Sequence, residues 1–428
     1  MREALDALIV GGGMITADLV LPSLYHLQRQ GAVGDISVCA SRSATLRQLA
    51  SHPDISAAFP GCSFTAWPGV EEREEAPRPL LYLKAIEGLR PRQIVAVAVP
   101  DHLHHKVVMA ALRSGQHVLC VKPLALKQTE AAEISRAAAE RGLFVGIEYH
   151  KRFDRRSLVA RAGYRAGKFG EFVMGEARLV EPYRYRFSNF QRWFTVENTD
   201  PFTYIGCHYV DLVRFITGLL PVEVSVLGVR GQFPNGNEGF LWTQGRVRWE
   251  NGAILALTNG LGYPDQAAGS NDQGLLMYCE GADGTGMIRH DDHYRGVSYA
   301  YLDSAGQERR SFRYTSPDFF QLVPWEGPGM RPLGYGFDSV AAIVQAIAGI
   351  EEASRGLSTE QAREERRRQA AKIDEDGFIA TPANSAVNEL VVEAGRQSIL
   401  AEGMPVGIIH GSEPRLVAGR GEKRQGGR

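Results

Sequence analysis

A lysine and a proline interrupt the apolar run of the segment LCVKPLAL, residues 119–126. The preceding residues HVLCV (117–121) are typical of a buried parallel strand, so Lys122 would lie at the carboxyl end of that strand, where doubly wound sheets bind ligands. A cation there could stabilise the partial negative charge that develops on a carbinol oxygen when a hydride leaves its carbon. The alternative is a structural lysine whose stem packs at the strand end while its ammonium reaches water.

Three consecutive glycines, Gly11 to Gly13, follow the first apolar run and precede a segment with helical spacing. A dinucleotide fingerprint requires this order, because Gly11 permits the tight turn and Gly13 lets backbone amides approach a pyrophosphate at the helix N-terminus. We assign Met14 and Ile15 to the same cofactor site. The third glycine of GxGxxG is replaced by Thr16, so a glycine-rich turn without a ligand is the alternative.

The second predicted strand ends in CASRS and lacks the Asp or Glu that would hold the ribose 2′-hydroxyl of NAD. Ser41 and Arg42 occupy this position, and the guanidinium of Arg42 could pair with the 2′-phosphate of NADP. Arg42 therefore favours NADP over NAD as the cofactor. It could also be an ordinary exposed arginine.

Several motifs together resemble the Gfo/Idh/MocA oxidoreductases, a family named after glucose-fructose oxidoreductase and inositol dehydrogenase. They occur in the family's order and at family-like spacing, and the resemblance covers most of the chain. The matching elements are Pro100-Asp101 followed by His104, Gly115-Gln116-His117-Val118 leading to Lys122-Pro123, and Gly206-Cys207-His208 with Asp211. Two further segments match, GIEYHKRF (146–153), which resembles the family's connection between domains, and TPANSAVNELVVEAGRQSI (381–399), which resembles its C-terminal helix.

The resemblance implies a role for each matching residue. Pro100, His104 and Lys122 would bind the cofactor, and Lys122 would also contact the reacting oxygen of the substrate. His208 would be the acid/base or would contact a substrate hydroxyl. Asp211, three residues later, shares a helical face with His208 and is assigned to the substrate site.

Two positions depart from the family's pattern. Val121 replaces the glutamate of the EKP motif, which would help to position the lysine or the cofactor, and Tyr204 replaces an aspartate found in many relatives four residues before the histidine. A phenol can hydrogen-bond a sugar or relay a proton, so Tyr204 is assigned to the catalytic and substrate sites, although it cannot supply a carboxylate's charge. Tyr149, Lys151 and Arg152 offer further polar contacts to a substrate near the joint between domains.

The segment EPYRYRFSNFQRWF (181–194) concentrates aromatic rings and arginines, so it could stack on a sugar or form a packed loop at a subunit interface. Histidines in DHLHH (101–105) and HDDH (290–293) raise the possibility of a metal site. His104 and His105 are adjacent and would point away from one another on a helix, Asp101 is expected to be an N-cap, and no third ligand is evident. We therefore predict no metal.

The fold class predicted is α/β, with an N-terminal Rossmann doubly wound parallel sheet and a C-terminal α+β domain that contains a large open, mainly antiparallel sheet. Strand runs alternate with helical patterns over the first 150 residues, which is typical of βαβ units. After residue 170, polar-apolar alternation is closed by turn dipeptides, Asn251-Gly252 as a type I′ turn and Asp283-Gly284 as a second hairpin. The five predicted parallel strands are 7–10, 36–40, 94–99, 117–121 and 143–149.

We expect an NAD(P)-binding Rossmann domain at 1–150, a substrate-binding and oligomerisation domain at 151–410 that includes a C-terminal helix at 385–403, and a disordered tail at 411–428. Helical stretches at 210–218, 340–350 and 385–403 would pack on the second sheet or return to the first domain. A charged segment at 361–372 would form a solvated helix.

Composition argues against several classes of protein. The 428 residues carry a formal net charge of -1 and are 44% hydrophobic, so neither a disordered chain nor a nucleic-acid partner is indicated. Five scattered cysteines without a CxxC pair, and the absence of a long apolar run, predict a cytoplasmic protein that does not bind a membrane. From the family we expect a homodimer or homotetramer and a small carbohydrate or polyol substrate.

Our leading hypothesis is an NAD(P)-dependent sugar or polyol dehydrogenase-like oxidoreductase. It would transfer a hydride between nicotinamide and a secondary hydroxyl of a sugar, glycoside or cyclitol, with Lys122 polarising the oxygen and His208 taking the proton. NAD-dependent glycoside cleavage by transient oxidation and elimination is one alternative. A non-catalytic protein that senses a cofactor or sugar is the other; the altered positions 121 and 204 favour it, whereas Lys122 and His208 argue against it.

Overall fold

The computed structural model describes residues 4–73, 76–267, 269, 271–281, 284–291, 297–299, 313–315 and 319–418. The chain folds into two compact units. The first contains the described residues of 4–125, 129–154 and 319–386, and the second contains those of 126–128, 155–315 and 387–418. The chain first leaves the first unit close to the predicted boundary, but residues 319–386 belong to the first unit instead of to a continuous domain at 151–410.

The amino-terminal part of the first unit alternates strands and helices. Its elements are β1 (Leu5–Val10), α1 (Leu21–Arg29), β2 (Val33–Cys39), α2 (Ser43–Ala50), α3 (Pro53–Ala58), β3 (Thr65–Trp67), α4 (Leu81–Glu87), β4 (Ile94–Val97), α5 (His104–Arg113), β5 (His117–Val121), α6 (Gln128–Arg141) and β6 (Val145–Glu148). A π-helical turn, Thr16–Val20, precedes α1, and short 3₁₀ turns occupy Asp101–Leu103 and His150–Phe153.

Strands dominate the middle of the chain. The elements are α7 (Arg155–Arg165), β7 (Glu171–Pro182), α8 (Cys207–Thr217), β8 (Pro221–Gln232), β9 (Glu238–Trp249), β10 (Ile254–Tyr263), β11 (Asp272–Gly281), β12 (Gly284–Asp291), β13 (Val297–Tyr299) and β14 (Arg313–Thr315). A second π-helical turn, Phe202–Gly206, runs into α8, and 3₁₀ turns occupy Tyr183–Phe187 and Asn189–Arg192.

The last part of the chain contributes to both units. Its elements are β15 (Gln321–Pro324), β16 (Met330–Leu333), α9 (Tyr335–Ala353), α10 (Thr359–Asp376), α11 (Pro382–Leu400), β17 (Val406–Ile409) and β18 (Arg415–Ala418). No helix in the described part of the chain is long and apolar enough to cross a membrane.

A six-stranded parallel sheet forms the centre of the first unit, with the order β3-β2-β1-β4-β5-β6. The chain reverses its direction of winding between β1 and β4, which is where open α/β sheets bind ligands. The apolar face of α9 covers this sheet: Val340, Ile343, Val344 and Ile347 share a buried cluster with residues of β1, β4 and β5. This cluster explains why a segment so late in the chain belongs to the first unit, because the sheet face would otherwise be exposed to water.

The second unit is built on an eight-stranded sheet with the order β12-β11-β7-β10-β9-β8-β17-β18. Among the described strands of this sheet, only β7 and β10 pair in parallel, so the prediction of a large, mainly antiparallel sheet is confirmed. The helix α8 contributes Val210, Leu212, Val213 and Phe215 to the buried cluster of this unit. The sheet and α8 thus form one core, and α8 carries the predicted His208 and Asp211.

Two local predictions are wrong. The turn between β9 and β10 is not type I′, because only Gly252 has a positive φ (91°). The amide of Asn251 is used differently: its Oδ1 accepts the N–H of Ala253, and its Nδ2 donates to the carbonyl of Phe172. The tail after 410 is ordered at 415–418, where β18 pairs with β17 and Leu416 packs on the core.

The second predicted hairpin involves Asp283, which lies outside the described residues, although the strands β11 and β12 on either side pair in antiparallel. Residues after 418 also lie outside. Residues 361–372 lie in α10; six of these twelve residues are exposed and two, Ala362 and Arg366, are buried, so this helix is largely solvated, as predicted.

Candidate active site

The glycine loop joins β1 to the helical segment that contains α1. Gly11 has φ 116° and donates its N–H to the carbonyl of Cys39, and a Cβ at this position would overlap the carbonyl oxygen of Ala98. Only glycine fits both constraints. Thr16, at the position of the missing third glycine, is buried and donates its hydroxyl to the carbonyl of Gly11 at 2.7 Å, so its side chain closes the loop.

The end of this loop is open. Gly13 is exposed and no atom lies within 4 Å of where its Cβ would be, while its carbonyl accepts the N–H of Thr16 and Ala17. Met14 is 37% exposed and Ile15 is half-buried. Open space beside exposed backbone at a helix start fits the pyrophosphate of a dinucleotide. The contact of Gly13, Met14 and Ile15 with a cofactor stays a prediction.

The end of β2 lies beside the position expected for the adenosine ribose. Ser41 is exposed, and its carbonyl accepts the N–H of Arg78 at 2.8 Å. Arg42 is half-buried and immediately precedes α2. A neutral hydroxyl and a guanidinium thus replace a carboxylate at this end of the sheet, and the predicted preference for NADP stays a prediction.

His104 connects the ends of β4 and β5. Its Nδ1 lies 2.6 Å from the carbonyl oxygen of Pro123, and its Nε2 lies 2.9 Å from that of Val99. Burial lowers the pKa of His104 to about 4 against the opposing effect of these carbonyls, and the charge of Lys122 lowers it further. The ring is therefore neutral at pH 7 and donates through one nitrogen. His104 is 1% exposed, and its contact with Pro123 allows it to position the segment that carries Lys122. Its predicted contact with the cofactor stays a prediction.

Lys122 follows the last residue of β5 and is half-buried. The peptide bond to Pro123 is cis. Pro100, which follows β4, is also half-buried, and its carbonyl accepts the N–H of Leu103. The structure thus brings Lys122 and Pro100 to the same carboxyl edge of the parallel sheet as the glycine loop.

The residues predicted to contact a substrate after β6 are buried. Tyr149, Lys151 and Arg152 are 1%, 2% and 3% exposed. Arg152 Nη1 donates to Asn384 Oδ1 at 3.1 Å, and Lys151 Nζ lies 5.8 Å from the centre of the Tyr335 ring. Their contact with a substrate stays a prediction.

Two residues at this edge, Glu148 and His150, are not among the predicted site residues. Glu148 ends β6 with 1% exposure, and both of its carboxylate oxygens accept from His150 Nδ1, at 2.8 and 3.1 Å. Ser339 of α9 donates its hydroxyl to the same carboxylate at 3.1 Å. A charged residue at the end of an apolar run is the signal that singled out Lys122, and the same signal is present in GIEYH.

In the second unit, His208 and Asp211 lie one helical turn apart on α8, as predicted. They are 5% and 1% exposed, and Asn388 Nδ2 of α11 donates to Asp211 Oδ1 at 2.7 Å. The π-helical turn before α8 is stabilised by Asp200, whose Oδ1 accepts the N–H of Thr203 at 2.9 Å. Such turns are rare and occur often at functional sites.

Tyr204 lies in this π-helical turn, and its ring is part of an aromatic cluster. The ring centres of Phe190, Trp193 and Phe194 are 5.4, 5.4 and 5.8 Å from that of Tyr204. The end of segment 181–194 is therefore packed. Its first half is different, because Tyr183 is 44% and Phe187 is 59% exposed.

The adjacent histidines of α5 point in different directions, as predicted, since His105 Nε2 pairs with Glu133 at 2.9 Å while His104 is internal. Asp101 is not an N-cap of α5; its carboxylate accepts the N–H of His102 within a short 3₁₀ turn. In HDDH, the last two residues lie outside the described part. Within that part, no group of three or more His, Cys, Asp or Glu side chains could hold a metal ion.

Comparison with known proteins gives matches across both units. A family model described as an oxidoreductase family with an NAD-binding Rossmann fold matches residues 5–149, and the GFO/IDH/MocA C-terminal domain matches residues 158–282. A 1,5-anhydro-D-fructose reductase of Ensifer adhaerens is 26% identical over 278 residues, which are 62% of this chain and 79% of the reductase. An uncharacterised oxidoreductase of Schizosaccharomyces pombe is 29% identical over 193 residues, 44% of this chain and 51%, or about half, of that relative.

Among solved structures, an inositol dehydrogenase homologue of Azotobacter vinelandii complexed with NADH and myo-inositol has a TM-score of 0.61 at 17% identity. The match covers 95% of this chain and 98% of that one, and it shows a common fold. The amino-terminal family match confirms a nicotinamide dinucleotide, NAD or NADP, as the cofactor. The chain belongs to the Gfo/Idh/MocA family of oxidoreductases.

Proposed function

We propose that the protein transfers a hydride between a secondary hydroxyl carbon of a sugar, glycoside or cyclitol and NAD(P). The observation that carries this proposal is the half-buried Lys122 at the carboxyl end of β5, on the edge of the sheet that also bears the open glycine loop at Gly13. A relative named as a 1,5-anhydro-D-fructose reductase supports a carbohydrate substrate.

Lys122 has the charge that the reaction requires. The bound nicotinamide supplies the hydride acceptor or donor. As the hydroxyl proton leaves the substrate, its oxygen becomes partly negative, and the ammonium of Lys122 would stabilise that charge through a donated hydrogen bond. A positioned donor of this kind contributes about 3–4 kcal/mol to transition-state stabilisation. His104 supports this role, because its ring contacts the carbonyl of Pro123, the residue after Lys122.

His208 would accept the hydroxyl proton on a ring nitrogen and return it in the reverse reaction. The carboxylate of Asp211, one turn along α8, would favour the protonated imidazole that results. Asn388 holds this carboxylate through the 2.7 Å hydrogen bond from Nδ2. Tyr204, four residues before His208, would donate a hydrogen bond to a substrate hydroxyl.

Spectrophotometry of cofactor reduction tests the proposal, with NAD⁺ and NADP⁺ offered separately to a panel of sugars, glycosides and cyclitols. Lys122→Met should lower kcat about 100-fold or more on any substrate found. The matched control is Lys106→Met, on an exposed position of α5 in the same unit, which should leave kcat unchanged. Equal rates for the two variants would refute the assignment of Lys122.

Other results of the same assay would support the alternatives. Release of an aglycone without net cofactor reduction, from protein that retains its cofactor through purification, would identify glycoside cleavage by transient oxidation. Tight cofactor binding without turnover of any substrate would instead identify a sensing protein.

A further inference from the structure

Glu148 is a buried carboxylate at the ligand edge of the first unit. It is held from two sides, because His150 Nδ1 contacts both of its oxygens and the Ser339 hydroxyl donates to Oε1. His150 itself is fixed between aromatic rings, with its ring centre 4.9 Å from that of Phe319 and 5.6 Å from that of Tyr335. Such a carboxylate has little freedom to move away when a ligand binds.

Glu148 lies directly beside Val121. In the parallel pairing of β5 and β6, these two residues are partners, and Lys122 is the next residue along β5. Partners in neighbouring strands are about 4.8 Å apart and project from the same face of a sheet. The sequence replaces the glutamate of the family's EKP motif by Val121, and the structure places a carboxylate one strand away from that position.

The strand order indicates which half of a bound dinucleotide would lie closest to Glu148. The adenosine ribose is expected at the end of β2, on one side of the reversal point, so the nicotinamide would lie at the β4, β5 and β6 side. Glu148 ends β6, and therefore belongs to the nicotinamide side. An oxidised nicotinamide ring is a cation and a reduced one is neutral, so a fixed negative charge nearby interacts differently with the two forms.

We propose that Glu148 sets the redox preference of the bound cofactor by stabilising its oxidised, cationic nicotinamide relative to the reduced form. The inference rests on the proposed function only in requiring a bound nicotinamide cofactor, not a particular substrate. Glu148 would act on the nicotinamide through its charge, and His150 and Ser339 would hold it in position. Stabilising the oxidised form makes the bound cofactor harder to reduce, so the equilibrium on the enzyme would favour transfer of the hydride from the reduced cofactor to the substrate.

A second buried pair of the same chemistry provides a matched control. His117 begins β5, so it lies at the amino edge of the same sheet, and its Nε2 contacts Glu351 Oε1 at 2.9 Å. His117 is fully buried and the Glu351 side chain is 15% exposed. Neutralising Glu351 thus removes a partly buried carboxylate that is also paired with a histidine, at the edge opposite to the cofactor.

The experiment measures the dissociation constants of the oxidised and reduced cofactor at pH 8, for both the NAD and the NADP couple, by titration of the intact protein. Glu148→Gln keeps the size of the side chain and removes its charge. We expect it to weaken binding of the oxidised form relative to the reduced form on the order of tenfold. Glu351→Gln should leave the ratio of the two constants unchanged. Val121→Glu, which adds a carboxylate at the same edge, should shift the ratio in the opposite direction.

An unchanged ratio in both Glu148→Gln and Val121→Glu, or an equal loss of affinity for both forms, would overturn the inference, because a purely structural role affects the two forms alike. If one of these variants does not fold, the other decides. The titration uses no substrate. Lack of turnover on every carbohydrate would therefore refute the proposed function without altering this ratio, and an unchanged ratio would refute the inference while turnover persists.

Discussion

Replacing Glu351 with glutamine should destabilise the first unit, because this carboxylate is the acceptor for a fully buried imidazole. His117 Nδ1 accepts the N–H of Phe144 at 2.9 Å, so the proton of the neutral ring is on Nε2, which points at Glu351 Oε1. Arg92 Nε donates to the other carboxylate oxygen at 2.8 Å. Glu351 thus joins the start of β5 to the end of α9.

The size of the stability loss in Glu351→Gln follows from these contacts. Burial lowers the pKa of His117, which agrees with a neutral ring. Burial alone would raise the pKa of Glu351, but the hydrogen bonds from His117 and Arg92, together with the charge of Arg92, outweigh it and lower that pKa. A hydrogen bond to a charged acceptor contributes about 1.5–3 kcal/mol, and one to a neutral acceptor about 0.5–1.5 kcal/mol. Since Arg92 is 48% exposed, its ion pair adds roughly 0.5 kcal/mol, so Glu351→Gln should cost about 1–2 kcal/mol.

Thermal unfolding monitored by calorimetry measures this cost. The transition of the first unit is identified by its rise when cofactor is added. A loss of about 1–2 kcal/mol lowers the Tm of a unit of this size by about 2–8 °C. Glu352→Gln is the control, because its ion pair with Arg355 is 41–48% exposed and should contribute less than about 1 kcal/mol. If the two variants have the same Tm, the reasoning about Glu351 is wrong.

Three further predictions concern the loop, the pH dependence and assembly. Gly11→Ala should abolish cofactor binding and lower the free energy of unfolding by roughly 1–3 kcal/mol or more. Gly13→Ala should preserve folding, because no neighbouring atom lies within 4 Å of the added Cβ. Calorimetry with cofactor titration compares the two variants. His104 and His117 have folded pKa values below the unfolded value of about 6.5, so the unfolded chain binds more protons. Stability should therefore fall as the pH drops from about 6.5 towards 4, and a Tm independent of pH in this window would contradict their burial as neutral rings. Light scattering should give the mass of a homodimer or homotetramer, and a monomeric mass would refute that expectation.

Much of the fold can be predicted from the sequence, because a buried parallel strand requires a continuous apolar run. All five strands predicted for the first sheet overlap observed strands, namely β1, β2, β4, β5 and β6. The sequence does not predict strand β3, because its three residues form no apolar run and show no alternation of polar and apolar residues. The membership of α9 in the first unit also cannot be predicted, because an apolar helical face does not specify which sheet it covers.

The site shows the same division between local and long-range information. Glycine-rich turns, strand ends and the i, i+3 spacing of His208 and Asp211 are local, and sequence spacing identifies them. The pairing of Val121 with Glu148 depends on strand register, and the contact of Glu148 with Ser339 joins residues 191 positions apart. Neither is encoded in a short motif. The π-helical turn of Tyr204 likewise has no periodic signature of its own.

The helix α9 has a consequence for biosynthesis. It contributes Ser339 at one edge of the parallel sheet and Glu351 at the other, and its apolar face covers the strands between them. A ribosome exposes all six strands of this sheet about two hundred residues before it exposes the end of α9. Until then, one apolar face of the nascent sheet is uncovered, Glu148 lacks the hydroxyl of Ser339, and His117 lacks the carboxylate of Glu351. The cofactor-binding unit is therefore completed late in translation, and a fragment ending near residue 154 would be a client for chaperones rather than an independent module.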